Sequence, residues 1–415
     1  MRNALNRWII ALVGVWLQLF LGTVYAWSYF QQPLVDKYGW TNTSVAWTFS
    51  LTICCLGLAA AWGGMKVPRY GPRKLAIVGS VLFGLGYLLA AAALQWRSLP
   101  LLYFGYGVIG GTGLGLCYVT PVATVAKWFP DKKGLATGLV IMGFGFGALL
   151  MSKLIAPALY AWSDGNLVTV FLWLGVCFTA AALLGAVWLR DPPPGYAPRG
   201  DGASAAAAVA ADPPSAVGIV SWRFAAMWLI FFCNIVAGIS LISFQSPLFQ
   251  DLWRRLEPSL PAATLSSYGA WLIAASAVFN GIGRIFWGGF SDRLGRLSAF
   301  RWMLASQLAV FLLLAMIGNP WLFGALICYV LLCYGGGFGT MPAFILDVFG
   351  PRRMAQAYGV ILTAWSAGGV VGPQIVAFLK DHYAEHAASH SFFVGAGFLA
   401  VGLALSLAMR AQAAD

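Results

Sequence analysis

Long apolar stretches recur along almost the whole of this 415-residue chain, and they constrain its fold more than any other feature. Each has about 20 residues, enough for a helix to cross a hydrocarbon layer roughly 30 Å thick. Because lipid offers the backbone no hydrogen-bond partners, helices are the expected structure. The predicted spans are residues 8–29, 44–64, 75–94, 101–126, 135–160, 167–189, 224–248, 267–289, 300–317, 322–346, 356–379 and 392–409. The sequence therefore predicts an all-α membrane protein with twelve transmembrane helices.

The charged residues are few and unevenly distributed. They make up 9% of the chain, against roughly a quarter in soluble globular proteins. The net charge of +12 would suit a nucleic-acid partner if it were clustered on one surface. Instead, eighteen of the 25 lysines and arginines lie in the termini, alternate loops and adjoining helix ends, and only six in the segments on the opposite side. This asymmetry predicts cytoplasmic termini, defines an inner and an outer face, and argues against nucleic acid as a partner.

Nothing in the sequence predicts an enzyme, a cofactor or a metal site. All seven cysteines lie inside apolar spans without CxxC spacing, so neither a disulfide framework nor a zinc site is expected. His382, His386 and His390 recur every four residues but lack a matching carboxylate or cysteine set, which favours a solvated outer loop over a metal site. No span provides a nucleophile with a base.

The two halves of the chain resemble each other at an offset of about 220 residues. GGMKVPRYGPRK at 63–74 parallels GGFSDRLGR at 288–296, KWFPDKKGLATG at 127–138 parallels DVFGPRRMAQAYG at 347–359, and Pro121 parallels Pro342. Between the halves, residues 191–221 are rich in proline, glycine and alanine and are predicted to be a linker. The predicted domains are residues 1–190 and 222–415, two pseudo-symmetric bundles of six helices. Such repeats around a site at the membrane midplane are typical of transporters.

One charged residue, Arg284, lies deep inside a predicted span, close to the membrane midplane. It stands eight residues before Asp292, so its backbone is about 12 Å inside the membrane. A guanidinium at this depth costs at least roughly 2.5 to 3.5 kcal/mol and normally faces a cavity or a partner. The alternative is that Arg284 extends to the inner face or braces a neighbouring helix.

The thirteen acidic residues offer no obvious counter-ion for Arg284, because all of them lie at helix ends or in loops. A buried cation without a protein partner favours an external anion, and the planar guanidinium matches a carboxylate bidentately. One such group predicts one carboxylate per substrate, so the partner we expect is a small organic anion.

Other residues at similar depth are candidates for the same site. Asn280 lies one turn from Arg284 on the same helix face, where it would contact substrate or bond another helix. Tyrosine hydroxyls on other spans could orient the substrate, with packing as the alternative role. An aromatic cage around a small anion would complete the site. The tyrosines are Tyr25, Tyr118 and Tyr334, and the cage residues are Phe144, Phe338 and Trp365.

The residues quoted above carry a family resemblance. GGMKVPRYGPRK resembles the signature between helices two and three of the major facilitator superfamily. KWFPDKKGLATG and NGIGRIFWGGFSDRLGR are similar to its bacterial oxalate/formate antiporter and monocarboxylate transporter branch. The resemblance implies the major facilitator fold, a substrate carboxylate held by Arg284, and binding-site roles for the three tyrosines.

Two departures from that branch narrow the expected substrate. The oxalate/formate antiporter has a lysine on helix eleven where this chain has Trp365, which disfavours dicarboxylates. Animal monocarboxylate transporters carry an aspartate one turn before the arginine, where this chain has Asn280. The resemblance thus implies lactate- or pyruvate-like monocarboxylates moved with a proton, but it does not identify the proton carrier.

These observations together predict a proton symporter that works by alternating access in the bacterial cytoplasmic membrane, as a monomer within the lipid bilayer. A further expectation assigns proton coupling or outer gating to His386 with Lys380 and Asp381, because histidine titrates near neutral pH. Two alternatives stay open: an exchanger of organic anions, and a receptor on the same fold that does not transport.

Overall fold

The structure is a computed structural model that describes residues 6–129, 133–193, 196, 221–383 and 386–409; at 133–135 and 351–356 it describes the backbone alone. Within these residues, twelve helices are long and apolar enough to cross a membrane. In chain order, α1 to α12 are Arg7–Ala26, Asn42–Tyr70, Pro72–Gln95, Leu99–Trp128, Ala136–Trp162, Leu167–Ala186, Trp222–Leu256, Ala262–Leu294, Arg296–Leu314, Pro320–Gly350, Ala357–His382 and Ala387–Ala408. The predicted all-α architecture with twelve spans is confirmed.

Several helices run beyond the apolar stretches that predicted them. The span predicted at 44–64 is part of a helix from Asn42 to Tyr70, and that predicted at 224–248 is part of Trp222–Leu256. A helix can continue into polar residues, because its backbone hydrogen bonds are made within the helix itself. The start of α2 is fixed by Thr41, whose hydroxyl accepts a hydrogen bond from the backbone N–H of Ser44.

Helix α1 is irregular near the centre of the molecule. Its last residues, Gly22–Ala26, form a tighter 3₁₀ turn, and a second helix, Ser28–Tyr38, continues toward the predicted outer face. Gly22 allows close approach to α5, because a Cβ there would lie 1.9 Å from the carbonyl oxygen of Phe144. The turn places Tyr25 beside α5 at the centre of the molecule.

Single glycines make equivalent tight turns in the two halves. Gly71 joins α2 to α3 with φ 78° and ψ 156°, and Gly295 joins α8 to α9 with φ 86° and ψ 149°. This backbone region is essentially restricted to glycine. The near-identical geometry at the corresponding place in the sequence repeat reflects the pseudo-symmetry of the two six-helix bundles.

The two bundles pack against each other mainly through α2 with α11, α5 with α8, and Ser28–Tyr38 with α7. Small residues permit the closest approaches; a Cβ on Gly145 of α5 would lie 2.7 Å from the Cα of Gly281 on α8. Around the perimeter, large apolar side chains are more than half exposed, among them Leu58, Trp302 and Val401. Such a surface suits lipid and not water. The predicted domain boundaries stay a prediction, since most of the linker lies outside the described residues.

Candidate functional site

Arg284 lies at the junction of the two bundles, in the middle of the molecule. It stands ten residues from the inner end of α8, a rise of about 15 Å. Its side chain is buried, with 4% exposed. It does not extend to the inner face, which was the first of the two alternative roles.

Part of the guanidinium of Arg284 has no compensating group among the described residues. Its Nε and Nη1 atoms are buried without a hydrogen-bond partner. Among the side chains that the structure describes, the ion pairs involve other cations: Lys127, Arg254, Arg296 and Lys380. A buried charge in this condition is costly, so a group supplied from outside would stabilise it.

Aromatic rings surround Arg284 on several sides. The Cζ atom lies 5.3 Å from the ring centroid of Phe338 on α10 and 5.9 Å from that of Phe144 on α5. Trp365 of α11 packs against both rings, with centroids 4.9 Å and 5.9 Å away. The predicted cage residues therefore lie together, and their ring faces stabilise the cation only partly.

The three predicted tyrosines lie in the same cluster. Tyr25 and Tyr334 share a hydrogen bond of 2.7 Å between their hydroxyls, which joins α1 to α10 across the two bundles. Tyr118 packs against Trp365 with centroids 5.3 Å apart, and its hydroxyl is buried without a hydrogen-bond partner. The hydroxyl groups of all three tyrosines lie within electrostatic range of the Arg284 guanidinium.

Asn280 is one turn outward from Arg284, as predicted. It is 2% exposed, and its Oδ1 is buried without a hydrogen-bond partner. No hydrogen bond of that oxygen to another helix exists within the described residues. Close packing of α10 accounts for its burial: a Cβ on Gly335 would lie 2.0 Å from the carbonyl oxygen of Asn280.

The three outer residues assigned to gating lie in two places. Asp381 accepts hydrogen bonds from Asn42 N, Asn42 Nδ2 and Thr43 N, at 2.9, 3.0 and 2.7 Å, and so joins the C-terminal bundle to the start of α2. Lys380 turns the other way and pairs with Asp251 of α7 at 2.6 Å. His386 lines an outer cavity of about 420 Å³ with Lys380 and Asp251.

Sequence reasoning did not identify two neighbours of this cluster. The Tyr358 hydroxyl is buried beside Tyr118 and Arg284, and Gln245 of α7 borders the same small cavity as Asn280. Tyr358 lies seven residues before Trp365, about two helical turns, and this spacing could have indicated it. For Gln245 only its polarity within an apolar span gave a signal.

Comparison with known proteins agrees with this architecture. Residues 10–373 match the family model described as Major Facilitator Superfamily. The chain is 27% identical over 384 residues to an oxalate:formate antiporter of Oxalobacter formigenes, covering 91% of this chain and 86% of that protein. It is 32% identical to apicoplast pyruvate carrier 1 of Toxoplasma gondii, covering 76% and 66%, and 26% identical to human monocarboxylate transporter 11, covering 90% and 78%.

Solved structures share the fold at low sequence identity. A bacterial homolog of the human lysosomal transporter Spinster, inward-facing and occupied, is 16% identical, with a TM-score of 0.70 over 97% of this chain and 96% of that one. A D-xylose-proton symporter is 14% identical, with a TM-score of 0.70 over 96% of each chain. Twelve described spans, a repeated six-helix design and a family match along most of the chain lead to one conclusion: this multi-pass membrane protein belongs to the major facilitator superfamily of transporters, which are not enzymes, and it has relatives in the monocarboxylate and oxalate/formate branch.

Proposed function

We propose that this protein moves a small monocarboxylate of the lactate or pyruvate kind across a bacterial cytoplasmic membrane by alternating access. The observation that carries the proposal is the buried guanidinium of Arg284, with Nε and Nη1 unpaired among the described residues. A carboxylate accepts two parallel N–H bonds from such a group and neutralises it. Binding of a carboxylate would thus compensate an unfavourable buried charge.

The surroundings of Arg284 support one carboxylate per substrate. The rings that contact or enclose it, Phe144, Phe338 and Trp365, carry no charge, so a second carboxylate would be buried without a cation. Asn280, Tyr118 and Tyr334 would orient the remainder of a short acid. The names of the pyruvate carrier and the monocarboxylate transporter among the relatives support this class of substrate.

A proton accompanying the anion would keep the transport cycle free of net charge, and we favour symport for this reason. The proposed transport unit is a monomer. The residues around Arg284 include no described carboxylate, so the substrate or an outer group such as His386 would carry the proton. The sequence similarity to the oxalate:formate antiporter keeps exchange as a second candidate. A receptor that binds without transport is the third.

The test of the central claim is Arg284→Ala in proteoliposomes. We expect saturable uptake of lactate and pyruvate to fall at least about 100-fold, because two charge-assisted hydrogen bonds to the substrate are lost. Arg254→Ala is the matched control: Arg254 is exposed and pairs with Asp251 on the outer surface, and its loss should leave uptake unchanged. Undiminished uptake by Arg284→Ala protein that is folded by gel filtration would contradict the proposal.

The same vesicles separate the three modes of action. A symporter accumulates labelled lactate when a pH gradient is imposed and the lumen holds no organic anion. An exchanger accumulates it only after preloading with a second anion. A receptor binds lactate, as seen from a raised Tm, yet catalyses no flux.

A further inference from the structure

Helix α8 carries a row of buried polar side chains that leads outward from Arg284. Arg284, Asn280 and Ser276 recur every four residues and therefore share one face of the helix. Their exposed fractions are 4%, 2% and 1%. Ser276 lies about 12 Å along the axis from Arg284. The row extends the polar surface of the site toward the outer face.

Helix α7 adds one polar side chain to this row, Gln245. Ser276 Oγ donates a hydrogen bond of 2.7 Å to Gln245 Oε1, which orients the amide. The amide nitrogen Nε2 then has no partner within the described part of the chain. Gln245 as a residue is 2% exposed and lies at the end of the polar row.

The Gln245 amide borders a small cavity between the bundles. The cavity has a volume of about 10 Å³ and is lined by Tyr25, Gly145 and Ala148 from the first bundle and by Ile242, Gln245 and Asn280 from the second. That volume admits roughly one water-sized group. Asn280 and Tyr25 are among the lining residues, and the Tyr25 hydroxyl shares a hydrogen bond with that of Tyr334. The space therefore fits a single oxygen-bearing substituent and not a second acid group.

We infer that Gln245 is a specificity-determining residue that selects acids with an oxygen on carbon 2, by donating a hydrogen bond from Nε2 to a 2-oxo or 2-hydroxyl oxygen. Arg284 holds the carboxylate, and the substituent enters the cavity at Asn280. Ser276 is a positioning residue that keeps the amide nitrogen directed to the substrate. This inference rests on the proposed carboxylate transport and adds a selection rule to it.

The experiment compares three acids of three carbons, namely propionate, lactate and pyruvate, in proteoliposomes. We expect Gln245→Leu to raise KM for lactate and pyruvate about 3- to 10-fold, as for one lost neutral hydrogen bond. KM for propionate, which has no oxygen on carbon 2, should not change. Ser276→Ala should move KM in the same direction by a smaller factor, with kcat unchanged in both variants.

Gln307→Leu is the matched control. Gln307 is an equally buried glutamine of the same bundle, but it bonds Asn234 at 2.9 Å and does not line the cavity. It should keep the ratio of KM for propionate to KM for lactate, even if Tm falls. Equal changes for all three acids in Gln245→Leu, or none, overturn the Gln245 inference alone. Wild-type protein that accumulates none of the three acids contradicts the proposed function instead.

Discussion

At the scale of single residues, the position of Arg284 depends on a glycine of the neighbouring helix. A Cβ added at Gly339 of α10 would lie 2.1 Å from the backbone oxygen of Arg284 and 2.8 Å from its Cα. The two backbones are therefore in direct contact at this level. Because the contact is between backbones, no rotamer change can relieve an added side chain, and α8 would have to move.

We expect Gly339→Ala to displace Arg284 and weaken substrate binding. The overpacking should cost about 1 to 3 kcal/mol and raise KM for lactate about tenfold or more in proteoliposomes. Gly324→Ala on the same helix is the control, since its nearest neighbours would be side-chain carbons 3.6 and 3.8 Å away. An unchanged KM in Gly339→Ala would mean that the guanidinium tolerates movement of α8.

The depth of Arg284 could be predicted from the sequence, because the helical rise gives its distance from the membrane surface and the positions of the other charged residues leave it as the lone deep cation. The sequence also indicated that Asn280 shares its face. It could not show that Tyr25 bonds Tyr334, or that Gln245 bonds Ser276, because each pair joins different helices whose rotation about their axes is set by packing. The same reason explains why Lys380 and Asp381, adjacent in sequence, bind partners on different bundles.

At the scale of helices and turns, the backbone conformation is most restrictive at the one-residue links formed by Gly71 and Gly295. Both have φ near +80° with extended ψ, and a Cβ at either would contact nothing within 4 Å. The cost of a side chain there is therefore backbone strain alone. The GGMKVPRYGPRK and GGFSDRLGR segments revealed that the two halves of the chain correspond. Hydropathy could not show that a single residue forms each turn, because the polar ends of the flanking helices remain helical.

Gly71→Ala and Gly295→Ala should each destabilise the protein by about 1 to 3 kcal/mol through this strain. Thermal unfolding in detergent should show Tm lower by several degrees in both variants. Gly289→Ala is the matched control, since Gly289 lies within α8 and a Cβ would meet nothing within 4 Å. Alanine there should keep or raise Tm, because it favours the helix by roughly 0.5 to 1 kcal/mol. Equal Tm for all three variants would contradict the strain argument.

At the scale of the whole molecule, the bundles contact each other at the predicted outer face and in the middle. At the outer face, Asp381 binds the start of α2, and the Lys153 ammonium lies 3.5 Å from the ring centroid of Trp271. At the centre, Tyr25 meets Tyr334. The structure is thus closed at the predicted outer face, and opening toward that side requires the Asp381 contacts to break.

We expect Asp381→Asn to shift the protein toward outward-open forms. The neutral amide keeps one acceptor but loses the charge that strengthens three hydrogen bonds to Asn42 and Thr43, a loss of about 1 to 2 kcal/mol. That corresponds to about a 5- to 30-fold change in the closed-to-open ratio. Spin labels at the exposed positions Lys37 and His382, on a cysteine-free background, should report a larger population of long distances. Asp36→Asn is the control, because Asp36 bonds Gln32 of its own helix and crosses no interface. Unchanged distances in Asp381→Asn would mean that packing of α2 against α11, and not this carboxylate, keeps the outer face closed.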